Sequence, residues 1–231
     1  LRPPAPVNVL QPAAVTLAAD KRIRQQRLMV SELLTMRFLL ALFALLFTAA
    51  APAAFAQEKA QAVFAGGCFW CMESDMGHIP GVISVESGYT GGKEKNPTYR
   101  QVAMHQTGHL EAVRVTYDPK KLTYEQLLSR YWPLVDPTDA NGQFCDRGHN
   151  YMPAIFVTPE QKAAAEASKE KIIASGRVNG KVIVPILPLG EFWPAEEFHR
   201  DYAKRNKADY DAYREGCQRD FILSKVWKPI G

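Results

Sequence analysis

Beyond residue 56 the chain has no internal repeat and no low-complexity linker, so nothing in its composition divides that part into modules. It also has no apolar run that comfortably crosses a membrane. The run over residues 38–47 falls well short of the roughly 20 apolar residues a spanning helix needs. Charge of one sign is scarce as well. Six of the 28 Lys and Arg and two of the 24 Asp and Glu lie in residues 1–56, which leaves 22 of each sign in residues 57–231. A formally neutral domain argues against a nucleic-acid partner, which would want a basic surface. Cysteine is sparse too: there are four, Cys68, Cys71, Cys145 and Cys217, all beyond residue 56.

Residues 1–35 start at Leu1, are Pro/Ala-rich and then basic (Lys21, Arg22, Arg24, Arg27), and show no period. Met36-Arg37, the apolar run and Ala54-Phe55-Ala56 have the layout of a secretory signal peptide: basic start, apolar middle, small-x-small cleavage site. The expectation is therefore a non-native upstream segment at 1–35, a signal peptide at 36–56 cleaved after Ala56, and one catalytic domain at 57–231. Such a domain would be periplasmic or secreted, would keep no stable membrane span, and is expected to be a monomer. Its length suits one core, and export places the cysteines where disulfides persist.

The organising stretch is Ala62-Val63-Phe64-Ala65-Gly66-Gly67-Cys68-Phe69-Trp70-Cys71-Met72-Glu73-Ser74. It reads as a strand, a Gly-Gly turn and a helix opening on Cys68. At a helix N-terminus the dipole favours a thiolate, the nucleophilic form of cysteine. Phe69 and Trp70 can wall the sulfur with apolar surface. The bland alternative is a buried structural cysteine.

Further along, residues 82–92 alternate briefly and then dissolve into glycines, a strand entering a loop. Asn96-Pro97-Thr98-Tyr99 reads as a turn and helix start. His109-Leu110-Glu111-Ala112-Val113-Arg114-Val115-Thr116-Tyr117 reads as a strand, with Glu111, Arg114 and Thr116 as its polar set. Thr123-Tyr124-Glu125-Gln126 is a capping box opening an apolar-faced helix. Residues 136–151 form a long polar loop carrying Phe144, Cys145 and Tyr151, and long loops in compact domains are often functional. A strand is expected at 153–157, and an Ala-rich helix after Thr158, with Pro159 in its first position. Another strand is expected at 182–187; residues 192–202 carry aromatics among acids, and a basic, Tyr-rich tail then runs to Gly231. Mixed helices and strands without regular alternation favour an α+β two-layer domain.

Gly67-Cys68-Phe69-Trp70 with Glu73 resembles the active-site motif of the peptide methionine sulfoxide reductase A family. Gly88-Tyr89-Thr90-Gly91-Gly92, Asn96-Pro97-Thr98-Tyr99 and Gly108-His109-x-Glu111-Ala112-Val113 match that family in order and spacing. The resemblance covers roughly residues 63–193. It implies a ferredoxin-like α/β sandwich with additional elements, to which the sequence adds an irregular C-terminal tail. It implies thiol-dependent reduction of methionine S-sulfoxide, protein-bound and free, with a thioredoxin-like reductant, no cofactor and no metal. Cys68 is then the nucleophile and Glu111 the acid, its pKa raised by apolar neighbours. Tyr99 and Tyr151 match the tyrosines that hydrogen-bond the sulfoxide oxygen, Asp146 matches an Asp near the substrate's polar end, and Phe69 and Trp70 form the methyl pocket. The products are methionine and a Cys68 sulfenic acid.

Three departures stand out. Cys71 replaces the usual Gly, Met152 stands where Arg often follows the tyrosine, and the tail lacks the twin-Cys, Gly-rich ending of some members. The cysteine that resolves the sulfenic acid is therefore open among Cys217, Cys71 and Cys145. The favoured expectation is a Cys68–Cys217 disulfide formed by a swinging tail, directly or relayed through a further Cys, though Cys68 and Cys71 share a helix face and could also pair. Two other readings compete. A thioredoxin-like thiol-disulfide oxidoreductase would use Cys68-x-x-Cys71 and leave Tyr99 and Glu111 unexplained. A zinc site would combine Cys68, Cys71, Cys145 and His149.

Overall fold

The computed structural model describes residues 58–229, with scattered helical positions between 24 and 37. The apolar run and cleavage site expected for a signal peptide, and most of residues 1–35, lie outside the described residues. Residues Gln57–Gly231 form one compact unit. Among the described residues no helix is long and apolar enough to cross a membrane.

The sheet core is built from four strands: β1 (Ala60–Ala65), β2 (Val82–Thr90), β3 (Leu110–Tyr117) and β6 (Ala154–Val157). Helix α1 (Phe69–Gly77) links β1 to β2, and helix α3 (Tyr124–Tyr131) follows β3 toward β6. The spatial order is β6-β1-β3-β2, with every neighbouring pair antiparallel. A strand-helix-strand, strand-helix-strand chain in that order is the ferredoxin-like sandwich. The sheet is extended at both edges by β7 (Ile186–Pro188), parallel to β6, and β8 (Trp193–Pro194), antiparallel to β2.

The two sheet faces are buried differently. Ala62 and Phe64 of β1, Val113 and Val115 of β3 and Ile155 of β6 point to the helical layer. There they pack with Phe69, Met72 and Met76 of α1, Leu127, Leu128 and Tyr131 of α3, and Ala165 of α4 (Pro159–Ala174). The opposite face carries Val63, Ala65, Leu110, Ala112, Ala154 and Phe156, covered by Met152, Leu187, Leu189 and Phe192. Both faces of β3 are therefore buried, which corrects one expectation. Side chains alternate along a strand, so Glu111 shares its face with Val113, Val115 and Tyr117. It belongs to the buried set, not with Arg114 and Thr116.

Local signals place the helices. The short helix α2 (Tyr99–Ala103) has a complete capping box from Thr98 and Gln101, and α3 has one from Thr123 and Gln126. Each such cap contributes about 1 kcal/mol. Thr158 and Gln161 box α4, with Pro159 in its first turn. The strand expected at 182–187 is shorter and later: pairing begins only at Ile186, and the Pro185 carbonyl instead accepts from the Ile155 amide at 3.0 Å. Within residues 136–151 the chain makes a small hairpin, β4 (Gly142–Gln143) with β5 (Asp146–Arg147), and a 3-10 turn, His149–Tyr151.

The C-terminal tail is not irregular. It forms helices α5 (Tyr202–Arg205), α6 (Lys207–Gly216) and α7 (Arg219–Val226). Left-handed Asp201 and Gln218 turn the chain into α5 and α7. Aromatic spacing holds α6 in place: Tyr210 and Tyr213 lie on one side, Tyr210 is buried, and both pack in the cluster around Cys68 and Cys71. The sequence's polar character hid this, because the apolar face of α6 is made of tyrosines.

Candidate active site

The site opens where β1 ends. Gly67 has φ +83°, and a Cβ there would come within 2.6 Å of the Gln143 side chain, so the turn needs glycine. The turn delivers Cys68 to the N-cap of α1, as expected. Cys68 is buried, and so is Cys71, one turn along the helix. The two side chains hydrogen-bond each other.

That contact corrects the simple thiolate picture. Burial pushes the Cys68 thiol well up, and its hydrogen bond to Cys71 adds to this. Cys71 moves down to about 7, first because Cys68 donates to it, then because Arg219 and Arg214 lie nearby. Burial and this hydrogen bond thus favour the protonated thiol at Cys68 and ease ionisation at Cys71. Arg219 is buried, donates to the carbonyls of Gly66 (3.3 Å) and Leu134 (2.6 Å), and stacks on Phe144 at 4.5 Å.

Glu111 sits across from Cys68 on β3, beside Tyr89 of β2 in the sheet register. It is 2% exposed, and one carboxylate oxygen accepts from the Phe69 amide at 3.0 Å. Burial raises its pKa to about 8, the Phe69 amide opposes that, and the charges of Asp146 and Cys71 add to it. At neutral pH Glu111 is a protonated acid, as the strand's apolar surroundings imply.

Cys68, Phe69, Trp70, Tyr99, Glu111, Asp146, Tyr151 and Tyr213 line one cavity of about 80 Å³. Every catalytic and pocket residue expected from sequence is among them. Pockets for drug-sized ligands start near 300 Å³, so this one admits only the end of a side chain. The Tyr99 and Tyr151 hydroxyls hydrogen-bond each other, and burial pushes both pKa values up. Both phenols therefore stay protonated as donors. Burial also raises Asp146, which accepts from the Tyr213 hydroxyl.

These observations stand beside clear similarities to known proteins. The chain matches the family described as "Peptide methionine sulfoxide reductase" over residues 60–230. The chain belongs to the peptide methionine sulfoxide reductase family. It is 59% identical over 195 residues to peptide methionine sulfoxide reductase MsrA 2 of Caulobacter vibrioides, an alignment covering 83% of this chain and 99% of that relative. With peptide methionine sulfoxide reductase MsrA of Bacillus licheniformis the identity is 47% over 173 residues, 74% of this chain and 96% of the relative. Among solved structures, methionine sulfoxide reductase A of Corynebacterium diphtheriae superposes with a TM-score of 0.58 at 31% identity, covering 64% of this chain and 76% of that one. Reduced Mxr1 of Saccharomyces cerevisiae gives 0.59 at 26% identity, covering 66% and 88%.

Within this family member the favoured Cys68–Cys217 pair is not formed in this structure. Cys217 is bonded to Cys145, with Cα atoms 4.9 Å apart, while Cys68 and Cys71 are free thiols. Cys217 is fixed between two helices and is not carried on a swinging tail. The zinc reading fails on the same geometry. Cys145 is committed to Cys217, and His149 is exposed with Nε2 3.2 Å from the Gly108 carbonyl oxygen. Among the described residues the one cluster with metal-ligand spacing is Cys145, Asp146 and Cys217.

Sequence reasoning missed four residues around the pocket. Tyr202 stacks on Trp70 at 3.8 Å, nearly parallel. His199 accepts from the Trp70 indole at 3.2 Å and touches Phe69 and Tyr99. Glu196 accepts from the Tyr89 hydroxyl and the Tyr99 amide, both at 2.8 Å. Tyr213 is the fourth. The signal was the density of aromatics and acids after residue 192, which was visible but gave no partners.

Proposed function

We propose that Cys68 and Cys71 act as a proton-sharing pair in the reduction of methionine S-sulfoxide. The chain is a thiol-dependent peptide-methionine (S)-S-oxide reductase, and its cavity of about 80 Å³ between Cys68 and Glu111 is the observation that carries the mechanism. The sulfoxide methyl group lies against Phe69 and Trp70. Its oxygen faces Glu111, Tyr99 and Tyr151.

Cys68 attacks the sulfoxide sulfur and gives its proton to Cys71. Glu111 protonates the oxygen, and the two tyrosines donate to it as negative charge develops. Methionine leaves, the oxygen stays on Cys68 as a sulfenic acid, and Glu111 is left as a carboxylate. The Cys71 thiol then attacks the Cys68 sulfenic sulfur. Its proton leaves with the hydroxyl as water, and a Cys68–Cys71 disulfide forms. A dithiol returns two electrons and two protons, and the Cys71 proton resets Glu111. Cys71 takes the resolving role because it already touches Cys68, whereas Cys217 is bonded elsewhere.

The supply of electrons is read as a thioredoxin-like dithiol protein, because buried Cys68 and Cys71 must be regenerated each cycle. The substrate is read as both free and protein-bound methionine sulfoxide, and the enzyme as a monomer. The basic start, apolar run and Ala54-Phe55-Ala56 site support export to the periplasm or beyond.

The deciding experiment is turnover of the separate S and R epimers of a methionine sulfoxide peptide with excess dithiothreitol. Reduction of the S epimer alone is expected. A folded protein that reduces neither epimer overturns the assignment, and catalysed dithiol exchange then becomes the reading to assay.

A further inference from the structure

We propose that Tyr213 is an additional active-site residue, held over Cys68 by the Cys145–Cys217 bridge, so that the state of this bridge sets how tightly the sulfoxide binds. The proposal rests on the reading of Cys68 as nucleophile.

Two rungs join the same pair of elements. Cys145 directly precedes Asp146 in the hairpin of β4 and β5. Tyr213 lies one helical turn before Cys217, whose amide donates to the Tyr213 carbonyl at 2.9 Å. The disulfide is one rung, and the hydrogen bond from the Tyr213 hydroxyl to Asp146 is the other. The stack of Arg219 on Phe144 ties the start of α7 to the same hairpin.

The inner rung faces the chemistry. The Tyr213 hydroxyl lies within hydrogen-bonding reach of the Cys68 sulfur, and its ring meets Trp70 edge-on at 5.9 Å. It can therefore aim the Asp146 carboxyl into the cavity, and its single proton can turn from Asp146 to Cys68 as that sulfur gains charge. The outer rung keeps it there. Closing a loop of 72 residues between Cys145 and Cys217 removes much of the freedom with which α6 could leave the hairpin.

The outer rung is also reachable. Cys145 is exposed while Cys217, Cys68 and Cys71 are buried. A dithiol can attack the Cys145 sulfur, breaking the S–S bond and releasing Cys217 as a thiolate that takes up a proton. The second thiol of the reductant then displaces Cys145 as a thiol and closes the reductant's own disulfide. Two electrons and two protons pass to the bridge. With it open, Tyr213 is held by the weaker ties alone.

The test is single turnover without external reductant, using protein verified to carry two free thiols and, where Cys145 and Cys217 are both present, a closed bridge. The rate of methionine formation is measured against sulfoxide peptide concentration for the wild type, Tyr213→Phe, Cys145→Ser/Cys217→Ser, and all three changes together. Loss of one such hydrogen bond raises the half-saturating concentration about 3- to 10-fold. The same rise is expected for the phenylalanine variant and for the double serine variant, with little more when they are combined. Alkylation of Cys68, followed by peptide mapping across pH, is expected to move to higher pH in Tyr213→Phe. A double serine variant with wild-type half-saturation overturns the proposal, and so do effects that multiply in the combination. A double serine variant that loses only steady-state turnover with a protein dithiol also overturns it, because the bridge would then carry electrons. If the double variant does not fold, Tyr213→Phe decides: unchanged half-saturation with unchanged Cys68 alkylation overturns the inference. A wild type that forms no methionine sinks the reading of Cys68 instead.

Discussion

The Phe69 amide donates to the Glu111 carboxyl across 3.0 Å, tying the first turn of the cysteine-bearing helix to the central strand of the sheet. The proposed acid and the helix that carries the proposed nucleophile thus share one hydrogen-bonded joint, and their spacing does not depend on loop conformation. Replacing Glu111 with Gln keeps an acceptor for that amide and removes the transferable proton. Turnover is expected to fall by about 10²-fold or more, with an unchanged far-UV spectrum. Full activity in this variant removes Glu111 from the acid role.

The raised Glu111 pKa also fixes the direction of two pH effects. Activity that needs the protonated acid is expected to decline as pH rises through about 8. Between its ordinary value of 4.5 and about 8, the folded chain keeps a proton that the unfolded chain releases. Stability from this group is therefore fully present below pH 4.5 and is lost as pH rises to about 8. Glu111→Gln does not titrate, so its melting temperature relative to the wild type is expected to climb over that window and level off above it. A constant difference across pH contradicts the buried-acid assignment.

Cys71→Ser separates the two thiol steps. The variant is expected to form one methionine per chain and then stop, with a long-lived sulfenic acid on Cys68 that a dimedone-type probe captures. The wild type under the same conditions is expected to yield a Cys68–Cys71 disulfide by peptide mapping. A dominant Cys68–Cys217 or Cys68–Cys145 bridge in the wild type refutes resolution by Cys71.

Tyr202→Ala tests the pocket wall from behind. Its ring braces the Trp70 indole at 3.8 Å, and such pairs contribute about 0.5–1.5 kcal/mol beyond simple burial. Loss of the brace is expected to raise KM several-fold with a smaller change in kcat. An equal fall in kcat with constant KM shows that Tyr202 acts on the chemistry instead.

Arg219→Met probes the buried cation. It removes hydrogen bonds to the Gly66 and Leu134 carbonyls and the stack on Phe144. Destabilisation of about 2–3 kcal/mol is expected in denaturant unfolding. Cys71 alkylation is expected to shift to higher pH as the nearby positive charge disappears. Unaltered Cys71 reactivity shows that Arg219 serves the fold alone.

Much of this site was legible because its residues sit on local signals. The Gly66-Gly67 turn, the helix start at Thr98, the capping box at Thr123 and the apolar run of β3 each announce themselves within a few residues. Long-range pairings do not. Glu111 was grouped with Arg114 and Thr116 because its strand is buried on both faces, and a two-sided core blurs the alternation that assigns a residue to one face. The Cys145–Cys217 bond and the tyrosine-faced helix α6 depend on partners 72 and 67 residues away, as the disulfide and the Tyr213–Asp146 hydrogen bond show. No spacing rule reaches that far, and four cysteines allow three pairings.

The hydrogen bond from Trp70 to His199 spans 129 residues of sequence. Its consequence concerns the order in which the enzyme comes into being. Cys68 is among the earliest parts of the domain to be synthesised, yet the ring that orients its neighbouring indole, and the tyrosine stacked on that indole, are among the last. A chain interrupted anywhere before residue 199 carries Cys68 without the indole clamp beside it. A nascent or nicked polypeptide thus exposes an ordinary thiol, and the complete sulfur-recognising pocket arises only as the domain closes on its own far end.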